Sequence, residues 1–247
     1  MIQEVVGAVR DAIVETVASD LLGLYVAGSL VAGGFDPSVS DIDFVAVLAA
    51  DPTDALAVAL ERMHRRLDRQ NPAWAGRIEV VYVSATALRL HDQGIPKMAV
   101  ISPGEPFHVL SGGPDWILTW YPLREASVAL FGPEIRDIIP PIAAGDFLKA
   151  VREHLRGMPA WITDETTRGA SAYAILTTCR GLYTLRHGVR PSKADAAKWA
   201  AREFAEWAGV IESALGWRNE QWTNPGTDPA SLVATRQFLK EAAVRLD

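Results

Sequence analysis

Leu24-Tyr25-Val26-Ala27-Gly28-Ser29, followed after a short spacer by Ser40-Asp41-Ile42-Asp43-Phe44, decides how this chain is read. The aliphatic runs at 21–27 and 42–48 are short and apolar, the pattern of buried strands. A Gly-Ser pair ends the first run and two carboxylates open the second. Side chains of a strand alternate faces, so Asp41 and Asp43 project to the same side, roughly 6–7 Å apart. Two carboxylates placed in this way repel unless a cation lies between them. A hard divalent ion with oxygen ligands, most simply Mg²⁺, answers that need. The turn at Gly28-Ser29 offers backbone N–H groups and a hydroxyl to a phosphate. Metal-suited carboxylates beside a phosphate cradle point to nucleotidyl or phosphoryl transfer.

Outward from this core, apolar spacing predicts a helix over 5–18 and one or two helical turns over 30–34. Asp51-Pro52-Thr53-Asp54 is a start signal for an amphipathic helix over 55–69. Arg77-Ile78-Glu79-Val80-Val81-Tyr82-Val83-Ser84 reads as a third strand, and 85–91 as another helix. The stretch 94–113 is rich in proline and glycine, with short strands expected at 98–101 and 107–110. A helix is expected over 115–130, kinked by Pro122 and stopped by Phe131-Gly132-Pro133. Pro140-Pro141 marks a linker. Beyond Gly145 the spacing is helical throughout, over 146–157, 171–187, 193–207, 210–218 and 229–246. Gly188 is placed as a C-cap and Ser192 as an N-cap. The fold class is therefore α+β. A mixed sheet with helices occupies residues 1–142, and an all-α bundle follows over 143–247.

Glu79 supplies a third carboxylate inside a run that otherwise wants burial, a costly placement unless it is paired or metal-bound. If its strand lies beside the Asp41–Asp43 strand, the three carboxylates converge. Such a set suits attack of a hydroxyl on a nucleotide α-phosphate, with Glu79 taking the hydroxyl proton. The plainer reading pairs Glu79 with Arg77 on an exposed strand face.

The chain has 247 residues, 49% of them hydrophobic and 22% charged, enough to bury a sizeable core. Its net charge of −6 argues against a non-specific nucleic-acid binder and suits a cationic or metal-chelated small molecule. The single cysteine, Cys179, excludes an internal disulfide and a cysteine metal cluster. No stretch is long and apolar enough to span a membrane, and residues 1–20 are unlike a signal peptide, so a cytoplasmic protein is expected. A small-molecule substrate is expected, with no nucleic acid and no membrane partner. A monomer is favoured. The five histidines show no metal-ligand spacing. His64 falls in the basic stretch 62–69, read as a solvated helix face. Seven of the eight tryptophans lie from Trp116 onward and read mostly as core. Trp161, ahead of Asp164-Glu165, is the one best placed for a substrate.

These motifs resemble the DNA polymerase β-like nucleotidyltransferase superfamily, whose pattern is Gly-Ser, a spacer, Asp-x-Asp and a later strand carboxylate. More narrowly, the chain is similar to the aminoglycoside 3″-adenylyltransferases, which modify streptomycin and spectinomycin. Leu24–Ser29, Ser40–Phe44 and Arg77-Ile78-Glu79-Val80 carry the N-terminal likeness, with Ser127–Pro133 matching a helix end before the domain junction. Leu176-Thr177-Thr178-Cys179-Arg180-Gly181-Leu182-Tyr183 and Ser192-Lys193-Ala194-Asp195-Ala196-Ala197-Lys198-Trp199-Ala200 carry the C-terminal one. The resemblance implies a polymerase-β-like N-terminal domain, ATP as co-substrate with Mg²⁺, AMP transfer to an aminoglycoside hydroxyl, and an active site between two domains. It implies that Gly28, Ser29 and Ser40 hold the triphosphate and that Asp41 and Asp43 bind metal. Glu79 then serves as base and further metal ligand. Lys193 reaches the triphosphate from a helical domain that closes over ATP. Trp161, Asp164 and Asp195 are the expected substrate contacts. The spacer between Gly28 and Asp41 is one residue longer than in the streptomycin/spectinomycin enzymes, and Lys198 replaces an acid before Trp199. Alternatives are a different small-molecule or protein hydroxyl as acceptor, or a non-catalytic nucleotide sensor.

Overall fold

The structure, a computed structural model, describes residues 2–220 and 226–246. The chain forms two compact units, Met1–Ile142 and Ala143–Asp247. The Pro140-Pro141 pair lies just before this division.

The first unit is built on a six-stranded mixed sheet of order β5-β4-β3-β2-β1-β6. Its strands are β1 (Leu21–Val26), β2 (Ile42–Leu48), β3 (Ile78–Ser84), β4 (Ile95–Ser102), β5 (Glu105–Gly112) and β6 (Val128–Phe131). Only β2 and β3 run parallel, joined through helix α3 (Asp54–Gln70). The other neighbours are antiparallel. Thr53 caps α3 by accepting from Leu56 N–H at 3.2 Å, one residue inside the expected start signal.

Strand alternation divides the core into two layers. Leu24, Phe44, Ala46, Val80 and Tyr82 pack on one face with α1 (Ile2–Val17) and α3. Tyr25, Val45, Val47, Val81 and Val83 pack on the other. That second face is covered by α4 (Ala85–Arg89), α5 (Ile117–Glu125) and residues Ile135, Ile138 and Ile139. On the first face His64 is buried and its Nε2 meets Tyr82 Oη at 2.7 Å. The basic stretch around it is thus solvated on one side only.

The expected helix over 115–130 is shorter than its spacing suggested. It ends at Glu125, and Val128-Ala129-Leu130-Phe131 pairs antiparallel with β1 as an edge strand. The Ser127–Pro133 segment is therefore strand rather than a helix end. β-branched and aromatic residues suit a pleat, and an edge of β1 was open to pair. Periodicity also missed the full length of the β4–β5 hairpin, because Pro96 and Pro106 hide strands that tolerate them.

The second unit is helical: α6 (Ala144–Trp161), α7 (Arg168–His187), α8 (Lys193–Glu203), α9 (Ala208–Trp217) and α10 (Pro229–Val244). Helix α7 forms its centre, burying Ala172, Ile175, Leu176 and Cys179 against residues of α8, α9 and α10. Burial raises the Cys179 thiol to about 12, so it behaves as an inert core residue. Gly188 ends α7 in the left-handed conformation (φ 71°) and Ser192 caps α8, where the sequence placed them. Among the described residues no helix is long and apolar enough to cross a membrane. Trp222 lies outside the described residues.

Candidate active site

The first motif folds into a tight junction. Strand β1 continues past its last residue when Ala27 N–H donates to Asp43 O at 2.9 Å, which carries Gly28 alongside Asp43. Gly28 then turns at φ 64°, ψ −149°, a region essentially closed to side chains. A Cβ there would lie 1.6 Å from Asp43 Oδ2. Glycine is required both by the backbone and by the carboxylate that occupies the space. Ser29 opens α2 (Ser29–Ala32); Ala32 N–H donates to Gly28 O, and the N–H of Gly33, which caps its end, to Ser29 O.

Register brings the carboxylates together. In the parallel β2–β3 pair, Asp43 stands opposite Glu79. Neighbouring strands are about 4.8 Å apart, so the two side chains are adjacent on one face. Alternation puts them on the face of Val45, Val47, Val81 and Val83, beyond the end of that apolar layer, and both are half-buried. Asp41 precedes β2 by one residue and shares the parity of Asp43. Like charges in register are destabilising without compensation. The donor set is all oxygen, as hard divalent ions prefer, and Gly28 keeps the backbone close to Asp43. The fit is to an ion held only partly by protein. Among the described residues no three His, Cys, Asp or Glu side chains gather as a metal cage. Mg²⁺ is commonly bound by one or two carboxylates with substrate phosphates completing the shell. Register sets Asp43 and Glu79 side by side, with Asp41 two residues along the chain from Asp43.

Ser40 is 4% exposed. Its Oγ accepts from Asp36 N–H at 3.0 Å, and its own N–H donates to Asp36 O at 2.8 Å, closing the loop ahead of Asp41. Arg77 sends its guanidinium to Pro37 O and Ser40 O of that same loop. The sequence offered Arg77 only as a partner for Glu79. Its position directly before an apolar strand was the one visible signal of another role.

In the helical unit the expected residues hold local positions. Lys193 is the first residue of α8, with Nζ 5.0 Å from the centre of the Tyr173 ring. Tyr173 also contacts Trp161, ring centres 5.7 Å apart, and Trp161 is 51% exposed at the end of α6. Tyr173 was not anticipated, since one tyrosine in a helical run carries no signal. Asp195 accepts from Ser192 Oγ at 2.7 Å while its N–H donates back at 3.1 Å, a reciprocal cap of α8. Asp164 pairs with Arg236 at 2.7 Å.

Residues 137–241 match the model of the aminoglycoside adenylyltransferase C-terminal domain. Two relatives bear names of the same kind. A spectinomycin 9-adenylyltransferase of Campylobacter jejuni is 24% identical, over 93% of this chain and 91% of the relative. An aminoglycoside (3″)(9) adenylyltransferase of Rhizobium radiobacter is 28% identical, over 76% and 74%. The chain is thus similar to the aminoglycoside adenylyltransferases. The relatives are named adenylyltransferases, which are nucleotidyltransferases, the class to which the N-terminal motifs also point. The fold is that of the spectinomycin adenyltransferase AAD(9) from Enterococcus faecialis, whose structure was solved with ATP and spectinomycin. The TM-score is 0.75 at 18% identity, covering 98% of this chain and 99% of that one.

Proposed function

We propose that this protein transfers AMP from ATP to a hydroxyl of an aminoglycoside-type antibiotic such as streptomycin or spectinomycin, releasing pyrophosphate. The observation that carries the reading is the register pair Asp43–Glu79 beside Gly28. The names of the relatives support the acceptor class.

The acceptor oxygen forms a bond to the α-phosphorus, and the bond from that phosphorus to the bridging oxygen of pyrophosphate breaks. Glu79 takes the hydroxyl proton. Asp43 and Asp41 would hold Mg²⁺, with Glu79 as a further oxygen donor. The ion supplies charge neutralisation on the phosphates when bound. Gly28 and Ser29 present backbone and hydroxyl donors to phosphate oxygens, and Lys193 is assigned as a phosphate contact. Ser40 acts chiefly through the loop it closes, its hydroxyl hydrogen left for a phosphate or a neighbour. Trp161 offers an exposed ring face to a sugar or aminocyclitol. Asp164 and Asp195 could meet a cationic drug only by sharing their present partners.

Incubation with Mg²⁺-ATP and each drug should yield a product carrying one added AMP by mass spectrometry. Glu79→Gln should lower transfer about 10³-fold, within the range for a positioned base, and leave ATP binding intact. Undiminished transfer in that variant would remove Glu79 from the chemistry.

A further inference from the structure

The loop before Asp41 is held from outside itself. Asp36 organises its interior, accepting from Ser38 and Ser40 N–H. One terminal nitrogen of Arg77 then bridges Pro37 O, at 2.8 Å, and Ser40 O, at 2.5 Å. The guanidinium lies 4.6 Å from the centre of the Trp74 ring, and Trp74 stacks on Phe35 at 6.2 Å. Phe35 belongs to the same connection between α2 and β2. Arg77 O accepts from Ile42 N–H at 2.9 Å, so the residue grips the segment on both sides of Asp41. Its Nε is buried with no hydrogen-bond partner among the described residues. Leaving a buried donor unsatisfied costs stability, so the residue's placement is not explained by its own hydrogen bonding.

We propose that Arg77 is a positioning residue: through Pro37 O, Ser40 O and Ile42 N–H it fixes the backbone that aims Asp41 at a metal–nucleotide complex. This rests on the nucleotidyl-transfer reading and adds a residue to it. A charged donor bridging two carbonyls is worth more than a neutral hydrogen bond. Small displacements of a positioning group are costly to function.

The test compares wild type, Arg77→Met and Arg77→Lys. Methionine keeps apolar bulk without donors. Lysine restores a single cationic nitrogen able to bridge both carbonyls. Mn²⁺ affinity in the presence of ATP is read by electron paramagnetic resonance, and amide exchange is read on the protein alone. Arg77→Met should bind Mn²⁺ about tenfold more weakly, the loss expected for a charge-assisted hydrogen bond. Exchange should quicken at residues 36–42 and nowhere else, with KM for the drug unchanged. Arg77→Lys should recover most of the affinity.

Unchanged Mn²⁺ affinity in Arg77→Met, or an Arg77→Lys protein no better than it, overturns the proposal. So does accelerated exchange spread over the whole sheet, which marks a merely structural role. If Arg77→Met does not fold, Trp74→Leu removes the stacking surface and leaves the donors in place. Weakened Mn²⁺ binding there sustains the proposal, and wild-type binding ends it. If wild type binds no Mn²⁺ with ATP, the nucleotidyl-transfer reading falls and this one with it. If wild type binds and transfers AMP while the variants match it, only the role of Arg77 falls.

Discussion

The sheet unit and the helical unit treat their conspicuous polar residues differently. In the sheet, Gly28, Asp43 and Glu79 come from three separate segments, and backbone register alone makes them neighbours. In the bundle, Asp195 bonds to Ser192, the cap of α8, Asp164 pairs with Arg236 and Lys193 lies over Tyr173. Polar residues near helix ends have ready local work, since helix termini leave backbone groups to satisfy. A motif spread over strands is therefore stronger evidence of chemistry than one of equal length at a helix start.

Two glycines with positive φ test that contrast most severely. Gly28→Ala forces a Cβ into Asp43 and into a strained backbone region, at about 1–3 kcal/mol. AMP transfer should fall by about a hundredfold or more through misplacement of the carboxylate. Gly188→Ala meets nothing within 4 Å and should cost about 1 kcal/mol with kinetics untouched. Thermal melts and steady-state rates of the two proteins decide it. Similar kinetics in both would break the distinction between the units.

Acid should find the sheet unit first. Burial lowers His64 from 6.5 to about 4. As pH falls below 6.5, the unfolded chain takes up a proton that the folded chain refuses until about pH 4. Stability present above 6.5 is thus lost progressively across that window, by up to about 3 kcal/mol. Urea midpoints at pH 7.5 and 4.5 should show this loss, and His64→Gln should flatten it. An equally steep acid limb in His64→Gln would shift the cause to other groups.

The smallest effects belong to the bundle. Ser192→Ala should cost about 1 kcal/mol by removing the cap of α8. Asp195→Ala should resemble it in stability and leave the KM for the drug unchanged. A large rise in that KM would give Asp195 a substrate role in addition to its bond with Ser192, and would narrow the contrast drawn here.

The sequence was most legible where local chemistry dictates local structure. Thr53, Ser192 and Gly188 announce helix ends because each satisfies orphan backbone groups or tolerates positive φ by itself. Aliphatic runs announced β1, β2 and β3 because buried strands need little else. Legibility failed at β6, where Val128–Phe131 suits strand or helix and only the open edge of β1 settles which. The burial of His64 likewise lay beyond local reading, since a basic stretch around a helix says nothing of its inner face.

The residue types of the candidate site were thus written in the chain: a glycine at a turn, Asp-x-Asp, and a carboxylate in an apolar run. Their grouping was not. That Asp43 faces Glu79 follows from a parallel register. That Arg77 turns to Pro37 and Ser40 follows from where the loop and the Trp74 ring lie. Local propensity acts within a few residues, whereas pairing between strands is fixed only when burial of two apolar layers selects one register from many.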